Sequence, residues 1–316
     1  MHHGLNNTYI YAVSKITLVI SNGIVNASIQ GTGFFIVKGR DLYLITNRHV
    51  VQPEWKEPQY QGYKLQSITF DRRNYNETSK TVEVEVMEMK SYDVLFAEND
   101  IDDIACITNI KVNDCWSKKT PICIEYSMLA NSENFEKDLS ICDSVAIIGF
   151  PIVYDHKHNM PILRSGVISS DPRLDYSFNG KDNGHTLAYE AFSTSGASGS
   201  PVFAIQKGFQ IGDGLEAPYG FYRPVMLIGI NAGCIESNPD KVHQQMSYMF
   251  KSDQIIKLIE QAAKEADDFL YTYILRAVTE GLSYTHLKSK LDIPCGRDMY
   301  YDRYRKFFWL LSEARD

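Results

Sequence analysis

The chain has 316 residues, 44% of them hydrophobic and 22% charged, and carries a formal charge of −7 from 32 Lys and Arg against 39 Asp and Glu. That length supplies one large or two modest domains with real cores. No apolar run approaches the ~18 residues of a membrane span, the first eleven residues lack the basic and apolar segments of a secretory signal, and the acidic balance argues against a global hold on nucleic acid or an anionic membrane.

From Tyr9 to about Met249 the chain reads as short apolar runs rich in Val, Ile, Tyr and Phe, broken by polar or Gly/Asn/Asp residues. Ile16–Ile20, Gly33–Val37, Leu42–Thr46, Thr81–Met87, Ser144–Gly149 and Met226–Ile230 are examples. This pattern predicts an all-β sandwich or barrel. At Ser252 the period changes. Ile255, Ile256, Ile259, Ala263, Ala266, Phe269, Leu270, Tyr273, Ile274 and Ala277 recur at helical steps. Gly281 should stop that helix, Ser283 should cap a short one through Leu291, and a last helix is expected from about Asp298 to Ala314. The predicted organisation is therefore a β body over 1–250 and a helical extension over 251–316. The extension holds 11 basic and 11 acidic residues, so the whole negative excess belongs to the β body. Six scattered cysteines, with no Cys-x-x-Cys, read as reduced, mostly buried thiols of a cytoplasmic protein.

Three segments carry possible chemistry. Gly31-Thr32-Gly33 leads to Thr46-Asn47-Arg48-His49-Val50-Val51, where a histidine closes a strand. Asp102-Asp103-Ile104-Ala105 opens an apolar strand with an acid. Ser195-Gly196-Ala197-Ser198-Gly199-Ser200-Pro201 sets a serine between two glycines. A serine hydroxyl becomes a useful nucleophile when an imidazole takes its proton and an acid orients that imidazole. Backbone N–H groups must also meet the developing oxyanion, and a glycine lets them converge. Ser195 and Ser200 are rival nucleophiles, but neither lies between two glycines.

The order His49, Asp103, Ser198 and these strings resemble the chymotrypsin/trypsin-like serine peptidases, most closely their bacterial branch of trypsin-like peptidase domains. Gly149-Phe150-Pro151 and the Asn159-Met160-Pro161-Ile162-Leu163-Arg164-Ser165-Gly166 stretch are similar to that branch too. The resemblance spans about residues 10–260. It implies a chymotrypsin-like double antiparallel β-barrel with His49 and Asp103 from the first barrel and Ser198 from the second. It implies a serine endopeptidase acting on a protein or peptide through an acyl-enzyme on Ser198, with His49 as general base and acid and Asp103 orienting it. Asp102 is the rival acid; strand alternation would face it the other way, and Asp103 is preferred because it directly precedes Ile104-Ala105, as in the family pattern. The same mapping gives the N–H groups of Gly196 and Ser198 the oxyanion hole, Phe192 the specificity pocket, and Ile230, Asn231 and Ala232 the strand that pairs with substrate.

Two departures matter. Ala197 stands where digestive trypsins carry an aspartate, so no propeptide-triggered switch of that type is expected. Phe192 stands where an acid would select basic residues, which leaves a medium apolar preference or a shallow pocket. His185 either lines the specificity pocket or belongs to a surface loop. Asp155, His156 and His158 read as solvated surface, with no third ligand in register for a metal. No metal and no cofactor is implied. The extension resembles a helix-turn-helix, but residues 281–316 hold only seven basic residues against five acidic, so nucleic acid is possible and not favoured. A helical cap, whose face of Tyr304, Phe307 and Phe308 packs on the barrel or another subunit, is preferred. A non-catalytic peptide-binding protein with a DNA- or partner-binding tail is the alternative to the enzyme. Oligomeric state is not readable.

Overall fold

The computed structural model describes residues 5–39, 41–112, 121–208, 222–235, 246–293, 295–301 and 303–305. The expected side chains of Ala263, Ala266 and Phe269, and residues Phe307, Phe308, Leu311 and Ala314, lie outside the described residues. The chain divides into two compact units, Met1–Leu258 and Ile259–Asp316.

In the first unit, β1 (Val13–Ser21), β2 (Asn26–Lys38), β3 (Asp41–Thr46), β4 (Lys64–Asn76), β5 (Thr81–Phe96) and β6 (Ala105–Val112) close an antiparallel barrel in the order β1-β4-β5-β6-β3-β2, with β1 pairing back onto β2. The short α1 (Arg48–Val51) follows β3, and β7 (Ile124–Glu125) lies parallel to the outside of β2. Along β1 the side chains of Ile16, Leu18 and Ile20 alternate inward with period two. They meet Phe35, Leu44, Ile68, Phe70, Met87 and Ile107 in one dry interior.

After α2 (Ser132–Lys137), a second barrel closes from β8 (Ser144–Gly149), β9 (Ile162–Ile168), β10 (Thr186–Glu190), β11 (Pro201–Ala204), β14 (Met226–Cys234) and β15 (Met246–Lys251), in the order β10-β15-β14-β11-β8-β9. A two-stranded ribbon, β12 (Lys207–Gly208) with β13 (Tyr222–Arg223), is appended to it in sequence. Its core holds Val145, Ile147, Ile168, Leu187, Tyr189, Val202 and Met249. The all-β body that the strand pattern predicts and the double antiparallel barrel that the resemblance implied are both present.

The change of period at Ser252 is a real helix start. α3 runs as one helix over Ser252–Glu280 and ends at Gly281, which takes the left-handed φ of +66° common after helix ends. α4 (Tyr284–Lys290) begins where Ser283 Oγ accepts the N–H of His286 at 3.3 Å, and the chain is helical again from 297. The second unit has its own core of Leu270, Ile274, Ala277, Leu287, Ile293 and Tyr300. Tyr304 packs there against Tyr300 and Tyr301.

Candidate active site

His49 does not close a strand, as its sequence context suggested; it sits in the single helical turn α1. The reason is local. Asn47, extended at φ −74° and ψ 149°, takes the N-cap position and donates its Nδ2 to Asp103 O at 2.6 Å. The chain then turns helical, with Gln52 N–H on Arg48 O at 2.7 Å. Asp103 is buried just before β6, and its carboxylate holds His49 twice: Oδ1 accepts the backbone N–H at 2.9 Å and Oδ2 meets Nδ1 at 2.5 Å. A carboxylate oxygen accepts, so this contact places the ring N–H on Nδ1 and leaves Nε2 as the acceptor nitrogen. Lys56 Nζ stands 3.9 Å from the same Oδ2.

The serine loop from the second barrel docks on β2 of the first. Thr32 N–H donates to Ser198 O at 2.8 Å, and Thr32 Oγ1 donates to Gly196 O at 2.8 Å while accepting Phe150 N–H at 3.0 Å. Gly196 and Gly199 both adopt φ +87°. A Cβ on Gly199 would run into Thr32 O, and one on Gly196 into Phe150 O, so close approach and handedness both require glycine there.

Peptide planarity then decides where the loop's N–H groups face. In a trans peptide C=O and N–H point in opposite directions. Ser195 O accepts Ile152 N–H at 3.0 Å, which turns the Gly196 N–H away from that loop. Ala197 O accepts Asn231 Nδ2 at 2.7 Å and Ser200 N–H at 3.1 Å, which turns the Ser198 N–H away from the barrel body. Among the described residues neither N–H has a protein acceptor. Ser198 is half-buried, and among the described residues no hydrogen bond joins its hydroxyl to His49. The structure thus unites His49 with Asp103 directly, and brings the Ser198 loop to the same first barrel through Thr32.

A family model described as "Trypsin-like peptidase domain" matches residues 31–212. The chain belongs to that family. No curated protein matches the chain. Among solved structures it is similar to one titled "Crystal structure of Deg5", at 18% identity over 79% of this chain and 88% of that one, with a TM-score of 0.46.

In this trypsin-like peptidase domain the residues expected to pair with substrate, Ile230, Asn231 and Ala232, are engaged within the barrel. Ile230 and Ala232 are buried, and Ile230 pairs with Pro201 on one side and Phe250 on the other. Asn231 is committed internally. Its N–H donates to Ser200 O at 2.8 Å and its carbonyl accepts Gly199 N–H at 3.0 Å. Its Oδ1 accepts the Tyr189 hydroxyl at 2.5 Å, which burial keeps well above the usual phenol range and so protonated. Asn231 is therefore a brace for the serine loop, not a free strand residue. The pairing with β11 stops at Ile230; beyond it Ala232 sits in a bulge, and Gly233 and Cys234 pair only with β15 among the described residues.

Phe192 is 44% exposed and stacks under Arg164, whose guanidinium carbon lies 5.3 Å from the ring and whose Nη1 donates to Phe192 O. With Arg164, Ser193, Tyr189 and Ala197 it lines a shallow cleft of about 10 Å³. His185 is held by Asp102: Oδ1 accepts its N–H at 2.9 Å and Oδ2 meets Nδ1 at 2.7 Å. Asp155 Oδ2 pairs with His158 Nδ1 at 2.7 Å, which holds Asp155 below the usual carboxylate range, while His156 Nε2 contacts Ile152 O. Thr32, Asn47 and the Ile152 N–H escaped sequence reasoning. Gly31-Thr32-Gly33 offered a signal, since a Cβ at Gly31 would lie 2.6 Å from Val50 and one at Gly33 2.5 Å from Ile16, so two tight contacts flank the threonine.

Proposed function

We propose that this chain is a serine endopeptidase whose nucleophile is Ser198. The observation that carries the reading is the double grip of the buried Asp103 carboxylate on His49, together with a serine loop docked on the same barrel whose Gly196 and Ser198 N–H groups have no protein acceptor among the described residues. Ser198 Oγ attacks the substrate carbonyl as His49 Nε2 takes its proton. Asp103 keeps the ring oriented and favours the imidazolium. The N–H groups of Gly196 and Ser198 receive the oxyanion, the leaving amine collects the proton from His49, and water clears the acyl-enzyme by the reverse sequence. The open edge of β14 from Ala232 to Cys234 accepts the substrate main chain as an added strand. Phe192 borders the specificity pocket. Five described cysteines are free thiols, which supports a reducing, cytoplasmic setting.

One observation favours the alternative of a peptide-binding protein without turnover: the Ser198 hydroxyl and His49 share no hydrogen bond among the described residues. Such contacts are often long before substrate binds and tighten in the complex. A fluorophosphonate probe separates the two readings. Covalent labelling of the protein that disappears in Ser198→Ala, together with peptide hydrolysis lost in the same variant at unchanged Tm, supports the peptidase. Equal labelling or turnover in both proteins overturns it.

A further inference from the structure

The largest wholly buried side chain in the described protein is a charged one, Arg73 in β4. Nothing in the chemistry so far uses it. Its Nη2 donates to Asp71 Oδ2 at 3.1 Å, its Nη1 to Val13 O and Asp71 O at 3.3 Å, and its Nε to Asn159 O. The guanidinium carbon lies 4.2 Å from the centroid of Phe150, a cation–π stack. Asp71 Oδ2 also accepts Lys15 Nζ at 3.3 Å and Asn159 Nδ2 at 2.9 Å. Burial pulls Arg73 down to about 10, with Asp71 opposing, so it stays charged at neutral pH.

The two residues Arg73 grasps outside its own barrel, Phe150 and Asn159, are the two ends of the loop that joins β8 to β9. Within this loop, Asp155 and Met160, the residue after Asn159, pair through their backbones, and Pro151 O accepts Tyr154 N–H at 2.8 Å, closing a turn. Ile152, second in that turn, is the residue whose N–H holds Ser195 O. A buried ion pair is expensive to desolvate and adds little stability over apolar packing, so its retention calls for another reason. An Arg also forms a rigid fork that fixes direction, which Lys cannot copy.

We infer that Arg73, acting from the first barrel through the Phe150–Asn159 loop, is a positioning residue that sets the direction of the Gly196 N–H. The inference rests on the reading of Gly196 as an oxyanion donor. Arg73 pins both ends of the loop, the pinned loop presents Ile152 N–H to Ser195 O, and the planar 195–196 peptide then aims its own N–H the other way. Release of the loop frees that peptide to rotate, and the oxyanion loses a donor.

Two variants and two readouts test this. Arg73→Lys keeps a buried cation for Asp71 but loses the fork to Asn159 O and the planar stack on Phe150. Ile152→Pro deletes one N–H at an exposed position where proline suits the turn. Both should lower kcat by roughly 10- to 100-fold, the range below full loss of an oxyanion donor, with KM changed less than about twofold. Both should also move the ¹⁵N–¹H resonance of Gly196 in glycine-labelled full-length protein. That second readout needs no turnover, so it answers for Arg73 even if wild-type protein proves inactive and the peptidase reading fails. If Arg73→Lys lowers Tm yet leaves kcat and the Gly196 resonance in place, Arg73 is a packing residue only and the inference is overturned. An unmoved resonance in Ile152→Pro overturns it equally.

Discussion

Asp102 and Asp103 are neighbours in the chain, yet each grips a different histidine in the same manner, one carboxylate oxygen on the backbone N–H and the other on Nδ1. Asp103 holds His49 within the first barrel's own loops. Asp102 reaches His185, the residue just before β10 of the second barrel. The two side chains leave the backbone on opposite sides, so one dipeptide serves two jobs that substitution can separate.

Asp103→Asn should strike chemistry. A carboxamide oxygen can accept only one of the two His49 donors well, and its NH2 meets the other, so the ring is released or shifted to the wrong tautomer. Under the proposed mechanism kcat falls by roughly 10³- to 10⁴-fold, with KM little changed. Steady-state kinetics on a peptide substrate measure this, and a loss below tenfold would point away from Asp103 as the orienting acid.

Asp102→Asn should strike stability instead. Its carboxylate is wholly buried, and the change weakens its double hold on His185. The expected cost is about 1–3 kcal/mol of unfolding free energy, with kcat within about threefold of wild type. Urea denaturation and kinetics on the same sample check both halves.

Thr32→Val keeps shape and removes one hydroxyl. Gly196 O then loses its donor in part-buried surroundings and Phe150 N–H its acceptor in buried ones. About 1–3 kcal/mol of stability should be lost, and turnover should fall with it because the serine loop is unpinned. Thr32→Ser, which retains the hydroxyl, should recover most of the turnover; failure to recover would shift the role to the methyl group.

Gly199→Ala combines a φ of +87° with a collision against the Thr32 backbone oxygen. It should cost about 3 kcal/mol or more. Gly180→Ala is the control: φ is +73°, but nothing lies within 4 Å of the added carbon, so backbone strain alone applies, about 1–2 kcal/mol. Comparable Tm losses in the two variants would refute the assigned collision.

The strands were readable because each packs one face on a barrel interior. Ile16, Leu18 and Ile20 declare that face by period two, and the helix after Ser252 by period 3.6. The meeting of His49 and Asp103 was readable because each sits beside a strand end with a distinctive string. What could not be read were partners set by closure of the barrels. His185 stands 83 residues from Asp102, and Thr32 stands 118 from Phe150. No local periodicity encodes such pairs. His49 was misplaced at a strand end because the Asn47 cap gains its meaning only from the distant Asp103 carbonyl. The family resemblance assigns Asn231 to the substrate strand, and no local pattern reveals that its side-chain partners are the distant Tyr189, Ala197 and Ser193.

Under the proposed reading, the edge of β14 that has no partner on the β11 side among the described residues carries one more consequence. A ligand that joins a sheet must arrive as straight main chain, since a helix or tight turn has already spent its amide and carbonyl groups on itself. Main-chain ladders are nearly blind to side-chain identity, so the first filter on a target would be its conformation. Folded proteins would resist in proportion to the free energy of locally opening a segment, and frayed termini or unfolded regions would be taken first.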